Sequence, residues 1–415
     1  MILSYIYSIL KFKKWELFFL ITIVISLKWS TIIILRPDIN YLTELHKCPT
    51  CFGTSACDYI HEVDITFRDF YSAFSYYFGV KNVFFGTFNT SKVILKKLAQ
   101  SFELNEFDRM ICENVNFSYI CPMNTEKTDN QIDVNFYKLI EKQVSLSFTQ
   151  DHFSHLRLCP NVRHLNDLLH PIYFSNKNVD SETLDINIWT LTVLNPEPLF
   201  LQILSADKNW PVPKYFGACG RIIIEEYVGL PLTAYYNEPW LNRAKIVSSL
   251  LNAAHTFTYE NENFSFYLTD VSADNIAVDL KYNAKFIDLE NVIIVDKNLT
   301  SKEKPPKWDE LHVNADDLSC PECLAFSSVE ICNHKISDHN YYAICKILLS
   351  LNTNNSVLTG GLLHDIPANI LKQYSNIQYL IRQCVNPDGP LTRITAGTEL
   401  KQLLDIVIQY SKLMP

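Results

Sequence analysis

The sequence of 415 residues predicts an α+β fold, and three observations carry that prediction. Residues 82–98 and 276–288 each alternate apolar side chains on either side of a short polar break, which is a hairpin signal. Residues 240–257 and 399–413 instead repeat apolar positions at helical spacing, through Leu241, Ala244, Val247, Leu251 and Ala254 in the first and Leu400, Leu403, Leu404 and Val407 in the second. The length allows one large or two medium domains with a buried core. At 48% hydrophobic and 20% charged residues the composition is that of an ordinary globular protein. The net charge of −9 argues against a general nucleic-acid binder, whose phosphate contacts require a basic surface.

Taken in order, residues 1–36 read as a targeting segment. Lys11, Lys13 and Lys14 precede an apolar run at 17–27, and Lys28 interrupts it before a second run at 32–35. The shorter run fits a signal peptide and the extended one a signal anchor, and the lysines favour a cytoplasmic N-terminus with a lumenal body. Any membrane contact is therefore expected only through this segment, if it stays uncleaved. Twelve cysteines behind such a signal imply an oxidising compartment and disulfides. Cys48-x-x-Cys51 and Cys320-x-x-Cys323 have the form of two halves of a zinc site, but they lie far apart, and disulfides are the preferred reading. Sequons at Asn89, Asn116, Asn263, Asn298 and Asn354 are the expected glycosylation sites.

Residues 37–62 form a polar, cysteine-bearing lead-in. Aromatics at Phe67, Phe70, Phe74 and Phe78 recur at helical spacing as core positions. Two strands follow around Asn89-Thr90-Ser91, the second carrying Lys96 in its apolar body, with Lys97 the alternative by a one-residue slip. Residues 99–180, with Cys112, Cys121 and Cys159, read as a disulfide-tied helical insertion, in which His152 and His155 are solvent-facing or at a helix end. Residues 181–194 are helical up to the stop Asn195-Pro196-Glu197-Pro198. A turn and a buried strand occupy 214–229, and the helix 240–257 leads into the stretch LTDVSADNIAVDLKYNAKFIDLEN at 268–291. Here one loop end and one strand end bring Asp270, Asn275 and Asp288 to the same edge. Two carboxylates and an amide oxygen suit Mg²⁺, a hard cation that completes its shell with phosphate and water, and a carboxylate can accept the proton of an attacking hydroxyl. Residues 292–337 read as a polar segment with three cysteines, and Asp338 opens a helix through Tyr341, Ile344 and Leu348. No G-x-S-x-G, HExxH or EF-hand loop is present.

The Asp270-x-x-x-x-Asn275 spacing with Asp288 thirteen residues on resembles the catalytic loop and metal-binding aspartate of protein kinases. Beyond that, KCPTCFGTSAC (47–57), NPEPLFLQ (195–202), YFGACGR (215–221), DVSADN (270–275), DHNYYAIC (338–345) and GGLLHD (360–365) resemble the divergent protein kinase domain family of the secretory pathway, in its "deleted in autism" group. The resemblance implies a two-lobed kinase-like fold, with an N-lobe at 63–228 that includes the insertion and a C-lobe at 229–415. It implies ATP with Mg²⁺ or Mn²⁺ as cofactors, and a lumenal or extracellular protein as substrate or receptor. By the same resemblance Lys96 grips the α/β phosphates and Glu182 is its ion-pair partner, with Glu103 as rival. Glu226 to Val228 line the adenine, Asp270 is the catalytic base, Asn275 and Asp288 hold the metal, and Asp338 holds the catalytic loop from below. Four departures stand out. Leu268 and Thr269 replace the usual His-Arg, Ser272 stands at a common lysine position, Glu290 replaces a glycine, and only Gly79 and Gly86 lie near the phosphate-loop position. Two functions follow as expectations: transfer of a phosphoryl or adenylyl group to a hydroxyl, or a secreted inactive pseudokinase acting as a ligand or scaffold.

Overall fold

The computed structural model describes residues 37–66, 83–122, 134–145, 156–315, 323–349 and 360–413, with single helical positions between 18 and 26. Apart from those positions, the expected targeting segment lies outside the described residues, as do Phe67 to Phe78, Gly79, His152, His155, Cys320 and Asn354. No helix among the described residues is long and apolar enough to cross a membrane. The chain forms two compact units, residues 1–132 with 216–225, and residues 133–215 with 226–415. The division differs from the expected one, because residues 133–215 belong with the C-terminal part of the chain.

The first unit begins its sheet with β1 (Asp64–Thr66), β2 (Val83–Phe88) and β3 (Ser91–Lys96). β2 and β3 pair antiparallel, Phe84 opposite Leu95. Their turn puts Asn89 and Thr90 at φ of 45° and 68°, the doubly left-handed conformation that matches strand twist in two-residue hairpins. Gly86 sits where a Cβ would come within 2.9 Å of Val63 and 3.2 Å of Leu95, so close packing of β1 on the hairpin explains this glycine. The chain leaves this unit for β4 (Leu156–Cys159) and returns for β5 (Tyr215–Cys219) and β6 (Ile222–Glu226), giving the sheet order β1-β2-β3-β6-β5.

The lead-in is part of this unit's core, a correction to its expected polar character. Leu42, Ala56 and Ile60 pack with Phe84, Leu95, Ile222 and Ile224, and the backbone of Phe52 and Gly53 pairs with Gly220. Gly220 has φ 62°, and a Cβ there would collide with the Thr43 carbonyl, so glycine is required. Disulfides Cys48–Cys51, Cys57–Cys219 and Cys112–Cys121 hold the same unit. Cys48 and Cys51 are thus a disulfide and not half of a zinc site.

In the second unit β11 (Val292–Asp296) is the centre of a three-stranded sheet, parallel to β4 and antiparallel to β8 (Phe264–Leu268). β11 is buried throughout, so the polar reading of 292–337 was wrong over its first five residues: four consecutive apolar side chains there form a two-sided buried strand. The supposed insertion also divides. The helix Ser101–Glu113 and its Cys112–Cys121 tie stay in the first unit, whereas β4 joins β11 and Cys159 bonds to Cys332. The second hairpin pairs β9 (Ile276–Val278) with β10 (Ala284–Phe286), and β7 (Leu230–Pro231) flanks β9. Its first strand ends sooner than expected, and Leu280 is 99% exposed at the turn. The helices Ser181–Leu194 and Trp240–His255 form where the sequence placed them, while the last helix starts earlier, at Arg393. A further disulfide, Cys345–Cys384, fixes the helical C-terminal part.

Candidate functional site

β8 delivers the chain to the loop at Leu268, and two buried side chains hold it there. Asn340 Oδ1 accepts from Leu268 N at 3.2 Å and its Nδ2 donates to Phe266 O at 2.8 Å. His339 Nε2 contacts Leu268 O at 2.9 Å, while its Nδ1 faces Asn314 Nδ2 at 2.7 Å. This pattern requires the neutral ring with its proton on Nε2, and burial lowers the His339 pKa to about 4. Beyond Leu268, both the backbone N and the hydroxyl of Thr269 donate to Asn291 O, at 3.0 and 3.1 Å. The threonine that replaces an arginine therefore fastens the two ends of the 268–291 stretch together.

Within the loop, Asn275 Nδ2 donates to Asp270 O at 3.2 Å, and the Asn275 amide oxygen accepts no hydrogen bond among the described residues. Asn275 O accepts from Ile287 N at 3.0 Å, which brings the residue preceding Asp288 alongside it. Carboxylate oxygens of Asp270, Asp288 and Glu290 converge within 4.8 Å of one another. Asp270 is exposed, and the other two are half-buried. Partial desolvation and then the charge of Asp288 raise the Asp270 pKa, against a smaller lowering by Asn275. Neither Asp270 nor Asp288 has a salt-bridge partner among the described residues. Three hard oxygen donors at this spacing fit a divalent cation such as Mg²⁺ or Mn²⁺. From the sequence, a carboxylate at Glu290 could either repel phosphate or add a metal ligand; in the structure it is the third carboxylate of the cluster. Asn195 Nδ2 donates to Glu290 Oε2 at 2.8 Å, and Asn195 Oδ1 caps Glu197 N. The Asn-Pro-Glu-Pro stop thus also orients an acid, a role that helix-end chemistry alone could not announce.

Lys96 lies in the first unit. Its ammonium pairs with Glu225 of β6 at 2.9 Å, with the lysine 13% and the glutamate 2% exposed. Glu225 was missed; an acid closing a buried isoleucine run, in a strand beside a lysine-bearing strand, is the signal that could have found it. Lys97 faces the other way and pairs with Glu44. Glu103, the rival partner, accepts from Gln100 N at 2.6 Å and caps its own helix. Glu182 is an exposed first-turn residue of the helix Ser181–Leu194 in the second unit.

Glu226 binds Lys285 at 2.7 Å and accepts from Lys214 N, and Val228 is half-buried. Asp338 is buried as expected, yet its carboxylate does not hold the loop. It accepts from Asn314 N at 2.9 Å and pairs with Arg393, so the supporting role passes to the next two residues, His339 and Asn340. The reason is geometric: Asp338 precedes the helix His339–Ala343, and only side chains of its first turn reach Leu268. Asn89, Asn116, Asn263 and Asn298 are exposed.

A kinase-like stretch on an α+β scaffold is the class these elements define, and comparison with known proteins agrees. The family model described as "Protein-kinase domain of FAM69" matches residues 188–387. Divergent protein kinase domain 2A of Xenopus tropicalis is 35% identical over 377 residues, covering 87% of this chain and 86% of the relative. The Homo sapiens protein of that name is 34% identical over 383 residues, with the same coverage. Divergent protein kinase domain 2B of Homo sapiens is 24% identical over 380 residues, 87% of this chain and 82% of the relative. The chain belongs to the divergent protein kinase domain family.

Proposed function

We propose that this protein is a secretory-pathway kinase-like enzyme that binds ATP with Mg²⁺ or Mn²⁺ and transfers a phosphoryl or adenylyl group to a hydroxyl of a lumenal or extracellular protein. The observation that carries the proposal is the gathering of Asp270, Asp288 and Glu290 within 4.8 Å, without a salt bridge to Asp270 or Asp288 among the described residues. Like charges so placed repel, and a fold gains nothing from them unless a cation joins. A bound cation would supply positive charge against the phosphate oxygens, held by Asp288, Asn275 and Glu290. Asp270, with its pKa already raised, is the base suited to orient the acceptor hydroxyl and take its proton. Lys96, paired with Glu225, serves as the phosphate grip. Oxidising export agrees with the disulfides Cys48–Cys51, Cys57–Cys219, Cys112–Cys121, Cys159–Cys332 and Cys345–Cys384 among the described residues.

A Mg·ATP titration followed by thermal unfolding tests the proposal. The wild type should be stabilised, by about 2.7 kcal/mol at a hundredfold excess over Kd, and Asp288→Ala should show no shift. An unshifted wild type, or a shift that survives in Asp288→Ala, would overturn it. Transfer of label from γ- against α-labelled ATP then separates the two chemistries.

A second reading, the secreted pseudokinase, draws on how Trp308 and Cys332 are held. Trp308, Ile331 and Cys332 pack with Ile293 and Val295 of β11, and Cys332 is bonded to Cys159, whereas a switching enzyme keeps its activation segment free. Absence of any nucleotide-dependent shift would favour this reading.

A further inference from the structure

The second unit carries a separate cavity of about 400 Å³, bounded by the helix Trp240–His255, the hairpin turn at 281–283 and the end of the C-terminal helix. Three lysines line it, Lys245, Lys281 and Lys401, against a single carboxylate, Asp405. That local excess of positive charge stands out in a chain of net charge −9. Asp405 is already engaged: Lys401 binds one of its oxygens at 2.8 Å and the Ser248 hydroxyl donates to the other. Lys245 lies 5.0 Å over the Tyr282 ring and donates to Asn242 Oδ1. Lys281 is exposed, and its ammonium has no acceptor among the described residues. The nearby acids are turned to other work. Asp279 accepts from Lys281 N, Asn283 N and Asn283 Nδ2 in the turn, and Glu238 accepts from Asn242 Nδ2.

We infer that this cavity binds a phosphate or sulfate monoester of a hydroxyl-rich, sugar-sized molecule. Ammonium groups are compact point charges with rotatable donors, suited to a tetrahedral oxyanion approached from several sides. The volume falls within the range of small-molecule sites, and Ser249 and Asn252 on the same helix face supply hydroxyl and amide partners for ligand hydroxyls. The site is independent of the acidic cluster and does not rest on nucleotide binding there.

The test is calorimetric titration of the full chain with inorganic phosphate, inorganic sulfate, glucose 6-phosphate and galactose 6-sulfate, which also decides which ester is preferred. Saturable binding of at least one ester is expected, weakened about tenfold or more by combined Lys245→Gln and Lys281→Glu, and unchanged by Asp288→Ala. Asp405→Asn, which releases Lys401, should tighten it. Thermal unfolding without ligand keeps the Lys281→Glu chain at the wild-type midpoint, because that ammonium holds no partner in the fold. No saturable binding, or equal affinity in the lysine variant, overturns the proposal. Inorganic ions binding as tightly as the esters would overturn its sugar part.

Discussion

Two charged clusters in this protein are built on opposite principles. In the first unit Arg221, 1% exposed, reaches Asp108, Glu44 and the Thr50 carbonyl, while Lys47 binds Asp108 and Lys97 binds Glu44. Every acid there has a cation, and the cluster stitches the lead-in onto the sheet. In the second unit Asp270, Asp288 and Glu290 are crowded together, and the first two have no cation among the described residues. Compensated charges can be buried as structure; like charges left at a rim are a cost that a fold tolerates where something else is to bind.

The largest effect should come from breaking the compensated cluster. Arg221→Ala leaves the buried Asp108 with Lys47 alone and should cost about 3 kcal/mol in urea unfolding. A loss under about 1 kcal/mol would mean that the network does not hold the lead-in. Next comes acid, which attacks the support beneath the uncompensated cluster. His339 and His312 are each lowered to about 4, chiefly by burial, so the folded state binds fewer protons than the unfolded chain below about 6.5. Stability should therefore fall with pH between about 6.5 and 4, by up to about 1.4 kcal/mol per pH unit for each histidine. His339→Gln should flatten that slope; an unchanged slope would remove His339 from the account. Third, Asn340→Ala leaves Leu268 N and Phe266 O without their partner and should cost about 2 kcal/mol, with a larger loss of transfer activity than of nucleotide binding. The smallest effect has the opposite sign. The raised Asp270 pKa penalises its charged form, so Asp270→Asn should stabilise the metal-free protein slightly at neutral pH, by under about 1 kcal/mol, while abolishing transfer. The advantage should shrink as pH falls through the carboxylate range, and excess Mg²⁺ should reverse it. A destabilised Asp270→Asn would show that Asp270 is a structural residue.

The loop residues Asp270, Asn275 and Asp288 were legible because their types and spacing lie within one local stretch. The same held for the helix Trp240–His255, whose period is written in sequence, and for the helix Ser181–Leu194, whose end the Asn-Pro-Glu-Pro stop marks. Glu225, Asn195, His339 and Asn340 were not legible as site residues, since each acts on a partner brought near by the fold: 129 residues separate Lys96 from Glu225 and 95 separate Asn195 from Glu290. Asp338 shows the limit sharply. Its burial followed from its place before an apolar helix, but which of three consecutive polar side chains would meet Leu268 depended on the helix's rotation.

By itself, then, the amino-acid sequence determined the mixed helix and sheet content, the hairpins, the acidic loop and the family, because periodicity and local spacing act over a few residues. Only the tertiary structure decided that the lead-in belongs to a core, that Cys159 joins Cys332, that Lys96 pairs with Glu225 and that a third carboxylate enters the cluster. Those are contacts between distant segments, and which of many chemically equivalent partners meet is set by packing of the whole chain.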